Sequence, residues 1–218
     1  MSFVPSYIIE TITKEDYKTL LNTKWQSKLD IIKYLVSKGF KLLGEGEYAS
    51  VYGKSGVPYV VRLYHSGWNW EKWTRFVTNK GKTNKHFPKI YAIKNYKFDQ
   101  PSPEDFQMQV SIAISERLER LTDSDMKQPP MENMGTFISF LKIYQGDMSI
   151  VEMMENDTLA KIILRKQDEI KSFLTDYPEL AMAIVDIVKL FGSKTDLKKE
   201  NFMKRHDGTI VINDPVVA

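Results

Sequence analysis

Between Phe40 and Tyr64 the sequence is cut into three short β-forming runs, FKLLGEG, ASVYG and PYVVRLY, separated by glycines and by the turn GKSGVP. Runs so closely spaced pair as consecutive antiparallel strands, because a parallel partner needs a crossover of about a dozen residues or more. Two further runs, KIYAIKNYKF and FQMQVSIAIS, flank the polar segment DQPSPED. Between the third and fourth runs, residues 68–80 place Trp70, Trp73 and Val77 at helical spacing. The expectation is a five-stranded antiparallel sheet with one helix inserted after its third strand.

The flanks read differently. Residues 14–38 carry Leu20, Leu21, Trp25, Leu29, Ile32 and Leu35 on one face of a 3.6-residue period. Thr13 and the acids Glu15 and Asp16 open that helix, and Gly39 stops it. From Glu116 the chain is expected to turn helical. One helix is read over 157–174, on Leu159, Ile162, Ile163, Ile170, Phe173 and Leu174, and is ended by Pro178. A second over 179–191 carries Leu180, Ile184, Ile187, Val188 and Phe191. The polar loop GSKTDLKKEN follows, then the strands FMKR and TIVIND joined by a hairpin tip at Arg205 to Gly208. Strands segregated from helices specify an α+β class. The divisions read from the chain are an N-terminal helical extension (1–38), a β-rich lobe (39–118) and a helical lobe (119–218).

Composition narrows the chemistry. The 218 residues suit one domain or two small lobes, and 42% apolar content supports a real core. Cysteine is absent, which removes disulfides, thiolate zinc sites and thiol nucleophiles. His65, His86 and His206 lack metal-ligand spacing. No apolar run approaches the ~20 residues of a membrane helix, and the first residues lack the pattern of a signal peptide, so a cytoplasmic protein is expected. A net charge of +3 does not mark a polyanion binder.

Two motifs carry chemistry. Asp196, Lys198 and Asn201 lie in the loop DLKKEN, and Asp214 follows the hairpin. One carboxylate to orient a hydroxyl, an amide and a carboxylate to hold Mg²⁺, and a cation beside the moving group are what phosphoryl transfer requires. A solvated charged loop is the plainer reading of DLKKEN alone. The second motif is Gly44-Glu45-Gly46 between two strands, where bare backbone can approach phosphate; an ordinary hairpin turn is its plainer reading. Gly53-Lys54-Ser55 is no P-loop, since the spacing is wrong and a strand follows.

The joint order resembles the protein-kinase signature set: a glycine hairpin, a cation on the third strand (Arg62), an acid on the following helix (Glu71), then D-x-x-x-x-N and a late Asp. GFKLLGEGEYASVY, FPKIYAI and NFMKRHDGTIVINDPV are similar to segments of the early serine/threonine kinases of short-tailed bacteriophages, and the likeness runs from about Gly39 to Asp214. It implies a bilobal kinase-like fold whose helical lobe stops just after the metal-binding hairpin. It implies ATP and Mg²⁺ as cofactors, with host bacterial proteins phosphorylated in the host cytoplasm and self-phosphorylation as a further outcome. By position, Asp196 and Lys198 are implied as catalytic, and Asn201 and Asp214 as Mg²⁺ ligands. Gly44, Gly46, Ser50 and Val51 are implied as the nucleotide lid. Arg62 with Glu71 is implied as the phosphate-side ion pair, and Glu116 to Leu118 as the hinge that meets adenine.

The departures keep a second class open. Ala49 replaces the third glycine, Arg62 a lysine, Thr195 the arginine before the catalytic aspartate, and Pro215 the phenylalanine after Asp214. No activation segment or later helical subdomain follows Asp214 in the sequence. A catalytically inert kinase-like protein that binds and inhibits a host factor is therefore the alternative. Residues 72–97 add eight Lys or Arg and no acid, interleaved with Trp73, Phe76, Phe87, Tyr91 and Tyr96. These are read as a solvated face over buried aromatics, with docking of an acidic protein next and nucleic acid last.

Overall fold

The computed structural model describes residues 14–46, 49–65, 68–80, 84–98, 109–144 and 166–215. Glu47, Tyr48, the DQPSPED segment and the expected helix before Lys166 lie outside these residues. The chain divides into two compact units. The first is formed by Met1–Asn79 and Pro88–Arg117, and the second by Lys80–Phe87 and Leu118–Val217.

The first unit is built on five antiparallel strands in the order β1-β2-β3-β5-β4: β1 (Lys41–Glu45), β2 (Ala49–Gly53), β3 (Tyr59–His65), β4 (Ile90–Lys97) and β5 (Gln109–Glu116). Alternation divides the sheet into two chemically distinct faces. Tyr52, Val61, Leu63, Ala92, Ile112 and Ile114 form one face and share a core with Leu20, Leu21, Ile31 and Leu35. Those four residues come from α1 (Lys14–Asn22) and α2 (Lys28–Ser37). Val51, Arg62 and Ala113 stand in register on the other face, and α3 (Trp68–Lys80) packs there through Trp70, which stacks on Tyr64 at 3.3 Å.

The helix expected over 14–38 is two helices. Ser27 takes an extended backbone, and its Oγ accepts the Asp30 amide at 3.2 Å, which starts α2 afresh. The end of α1 is sealed by tertiary contacts: the Leu20 carbonyl accepts both Trp25 Nε1 (3.0 Å) and the Tyr96 hydroxyl of β4 (2.9 Å). Burial pushes the Tyr96 phenol up to about 12, so it stays a neutral donor. Gly39, at φ 82°, stops α2 in the left-handed region.

The second unit is helical with one small sheet. Its helices are α4 (Asp123–Met126), α5 (Met131–Tyr144), α6 (Gln167–Asp176) and α7 (Pro178–Phe191). The stripe read for the last helix is buried throughout: Leu180, Ile184, Ile187, Val188 and Phe191. Pro178 separates α6 from α7 and is itself the first residue of α7, where its missing N–H costs nothing. Phe173, on α6, is fully buried between Phe137 (5.0 Å) and Tyr177 (5.8 Å). Phe173→Ala should lower the unfolding free energy by about 3–5 kcal/mol in denaturant titration; a loss below about 1 kcal/mol would contradict this packing.

The expectation of helix from Glu116 onward needs correction at its start. Leu118 is followed by β6 (Glu119–Arg120), which pairs antiparallel with β7 (Phe202–Lys204), and β7 pairs in turn with β8 (Ile210–Ile212). The Lys204 ammonium reaches Asp125 of α4 at 2.8 Å and, with Thr122, holds that carboxyl down at about 2. The β7–β8 tip is closed by Gly208 at φ 84°, whose amide donates to the Arg205 carbonyl at 2.9 Å.

Candidate active site

In the second unit the loop after α7 folds on itself. Two 3₁₀ turns, Gly192–Lys194 and Lys199–Asn201, bracket Thr195 to Lys198. The Asp196 carboxylate receives Lys198 Nζ at 3.0 Å on Oδ1 and Asn201 Nδ2 at 3.1 Å on Oδ2. The same Asn201 amide group also donates to the Asp196 main-chain carbonyl at 2.6 Å. The Asp196 N–H donates to the Pro215 carbonyl at 2.7 Å, and the Asn213 N–H to the Asn201 carbonyl at 2.8 Å. The loop and the far end of the hairpin are thus tied at two points that flank Asp214. Asp196, Lys198 and Asn201 are in direct mutual contact, and half-buried Asp214 adjoins them through Pro215.

This donor set suits a hard cation. Both Asn201 N–H groups point at Asp196, which orients Oδ1 away from it as an oxygen donor. Asp214, next to Pro215, is the carboxylate that would complete the set. No three His, Asp or Glu side chains converge into a metal site among the described residues. That is compatible with Mg²⁺, which commonly takes one or two protein oxygens and completes its shell with phosphate and water.

In the first unit, register places Gly44 opposite Val51 and Val51 opposite Arg62, so all three share the face that carries α3. Ser50 pairs with Leu63 and belongs to the opposite, core-facing side, where it is buried; it does not join them. Gly46 makes the turn, its N–H donating to the Ala49 carbonyl at 2.8 Å. Among the described residues, a Cβ there would touch only that carbonyl, at 3.9 Å. Arg62 is 7% exposed, and its Nη1 donates to the Tyr64 hydroxyl at 3.1 Å. The Glu71 carboxylate accepts Asn95 Nδ2 of β4 at 3.3 Å. Glu116 is buried; its Oε1 accepts the Lys89 N–H at 2.7 Å and its N–H donates to the Lys89 carbonyl at 2.9 Å. Leu118 is half-buried and is the first residue after Arg117 to belong to the second unit.

Three participants escaped the sequence reading. A bulge between Leu42 and Gly44 turns Leu43 over Gly53, where an added Cβ would lie 2.5 Å from Leu43 Cδ1. Register puts Val51 and Val60 on the same sheet face as Gly53 and Arg62. Only the bulge, which strand alternation does not announce, brings Leu43 there. Asn95 links β4 to both Glu71 and Ser111, the latter at 2.8 Å. His86 is described below.

Of the aromatics in the basic stretch, Trp73, Phe87 and Tyr96 are buried and unavailable for stacking, while Phe76 and Tyr91 are half-buried. No described helix is long and apolar enough to cross a membrane.

His86 is buried, with Nδ1 at 2.7 Å from the Ile210 carbonyl. Desolvation pushes its pKa below the ordinary 6.5, with smaller contributions from Lys85 and Arg205 in the same direction and from Ile210 and Glu179 against it. The unfolded chain therefore takes up a proton that the folded one refuses. Stability on this account is fully present above 6.5 and is lost as pH falls from there toward the depressed value. Unfolding midpoints should fall between pH 7.5 and 5.5, and His86→Asn should flatten that slope; an equal slope in both proteins would contradict it.

No protein-family model matches the chain, and no curated protein does. Among solved structures, WaaP in complex with acyl carrier protein aligns over 60% of this chain at 16% identity with a TM-score of 0.31, and the chain covers 52% of that protein's length.

Proposed function

We propose that the chain is a kinase-like phosphotransferase that uses Mg²⁺-ATP to phosphorylate serine or threonine hydroxyls of protein substrates. The observation that carries this reading is the lock around Asp196, in which Lys198 and Asn201 both meet its carboxylate while its N–H holds the residue after Asp214. A solvated charged loop has no reason to be cross-tied to the end of a hairpin 19 residues on. Phosphoryl transfer needs this set, because positioning and charge compensation supply nearly all of its catalysis.

In this reading Asp196 accepts the hydrogen bond of the attacking hydroxyl. Lys198 exchanges its ion pair with Asp196 for the transferring phosphoryl group; at 71% side-chain exposure it is free to swing. Asn201 Oδ1 and Asp214 would hold Mg²⁺, which would neutralise charge on the phosphates. By the resemblance, the nucleotide lid falls to Gly44 and Gly46 and the phosphate-side cation to Arg62, which shares its sheet face with Val51 and Val60. The resemblance to phage kinases extends this to host bacterial proteins as substrates.

One observation favours the alternative, an inert kinase-like protein that inhibits a host factor by binding it. Arg62 is almost fully buried and is bonded to a tyrosine that stacks on α3, which is also how a purely structural arginine behaves.

The test is transfer from labelled ATP to host lysate and to the protein itself, across a Mg²⁺ titration. Asn201→Ala should raise the half-saturating Mg²⁺ by about tenfold or more, in line with roughly 1.5–3 kcal/mol for a lost contact to a charged group. Transfer that needs no divalent cation, or an Asn201→Ala protein with an unchanged Mg²⁺ requirement, would overturn the metal assignment.

A further inference from the structure

Residues 84–87 precede β4 in the chain yet belong to the second unit. There they lie along the outer edge of β8, the strand that ends two residues before Asp214. Two of its edge groups meet a single residue. The Ile212 N–H donates to the His86 carbonyl at 2.8 Å, and the Ile210 carbonyl lies 2.7 Å from His86 Nδ1. The main-chain N–H of His86, which would serve Ile210 in an ordinary strand pair, instead donates to Asn84 Oδ1 at 2.9 Å. The imidazole therefore stands in for a backbone amide. An oxygen partner for Nδ1 requires the proton to sit there.

The segment is held from outside as well. The Arg205 guanidinium, at the hairpin tip, donates to the Lys85 carbonyl and, at 3.0 Å, to the Phe87 carbonyl. Lys85 pairs with Glu179 of α7 at 2.8 Å, and Asn84 Nδ2 donates to the Glu179 carbonyl at 2.9 Å. A strand three residues long, with only β7 on its other side, has little of its own to fix where its end points.

We propose that His86 is a positioning residue: it completes the open edge of β8 and so fixes the chain direction that delivers Asp214. This rests on the reading of Asp214 as a metal ligand for its consequence, though not for its geometry. Leucine at 86 keeps the bulk and loses the donor. Asparagine keeps a donor at nearly the position of Nδ1.

The experiment compares wild type, His86→Leu, His86→Asn and Arg205→Ala in two measurements: hydrogen exchange at the Ile212 amide, and the Mg²⁺ dependence of ATP binding. His86→Leu should exchange at Ile212 at least ~10-fold faster and raise the half-saturating Mg²⁺ about 5–10-fold. Arg205→Ala should move both in the same direction, and His86→Asn should stay within about twofold of wild type. If His86→Leu does not fold, Arg205→Ala and His86→Asn decide. Unchanged exchange in every folded variant lacking a donor or clamp overturns the proposal. So does loss in His86→Asn equal to that in His86→Leu, since a merely space-filling role would not distinguish them by donor. If wild type does not bind Mg²⁺-ATP, the functional reading fails by itself, and exchange at Ile212 still decides whether His86 holds the strand.

Discussion

Asp196→Ala is expected to reduce transfer from Mg²⁺-ATP by about 10²–10⁴-fold, the usual contribution of a positioned acid or base, while ATP affinity changes less than about threefold. The structure explains why those two effects should separate. The substitution removes the carboxylate that meets Lys198 and one of the two acceptors of the Asn201 amide. The other acceptor is the main-chain carbonyl of residue 196 itself, at 2.6 Å, and the amide that donates to Pro215 is also main chain. The loop therefore keeps its ties to the hairpin, and Asn201 Oδ1 keeps its direction. Asp196→Asn should behave like the alanine variant, because it preserves size but not charge. Incorporation of label within tenfold of wild type in both variants would remove Asp196 from the chemistry. If in addition the protein's biological effect were unchanged, the inert-binder reading would replace the kinase reading.

Arg62→Met should weaken ATP binding by about 10–100-fold with the protein still folded. Hydrogen bonds to charged groups contribute roughly 1.5–3 kcal/mol, and each ~1.4 kcal/mol is tenfold in affinity. Methionine is chosen because Arg62 is buried against Val51 and Ala113, where alanine would add a cavity to the loss of charge and confuse the two. Methionine keeps the length and apolar stem of the side chain while removing its charge. Arg62→Lys should retain binding and keep or raise transfer, as a compact ammonium reaches one phosphate without the planar fork. Calorimetry on the folded Met variant decides: ATP affinity equal to wild type would make Arg62 a structural member of the α3-facing side.

Much of this was legible before any fold was known, for a local reason. Periods of 2 and 3.6 residues state which side chains share a face. The five strands, the helix after the third, and the buried stripe of α7 followed from spacing alone. So did the closeness of Asp196, Lys198 and Asn201, since six residues of loop cannot spread far. What spacing does not state is which polar group finds which partner after packing. The break in the expected 14–38 helix depended on Tyr96 arriving from β4 to take the Leu20 carbonyl and on Ser27 capping a new start. Glu71 reached Asn95, 24 residues on, and the orientation of Leu43 depended on a bulge and on an absent side chain at Gly53. His86 and Ile210 are 124 residues apart. No local pattern encodes that contact, which exists because a short strand with an unpaired edge must find hydrogen-bond partners wherever the fold brings one.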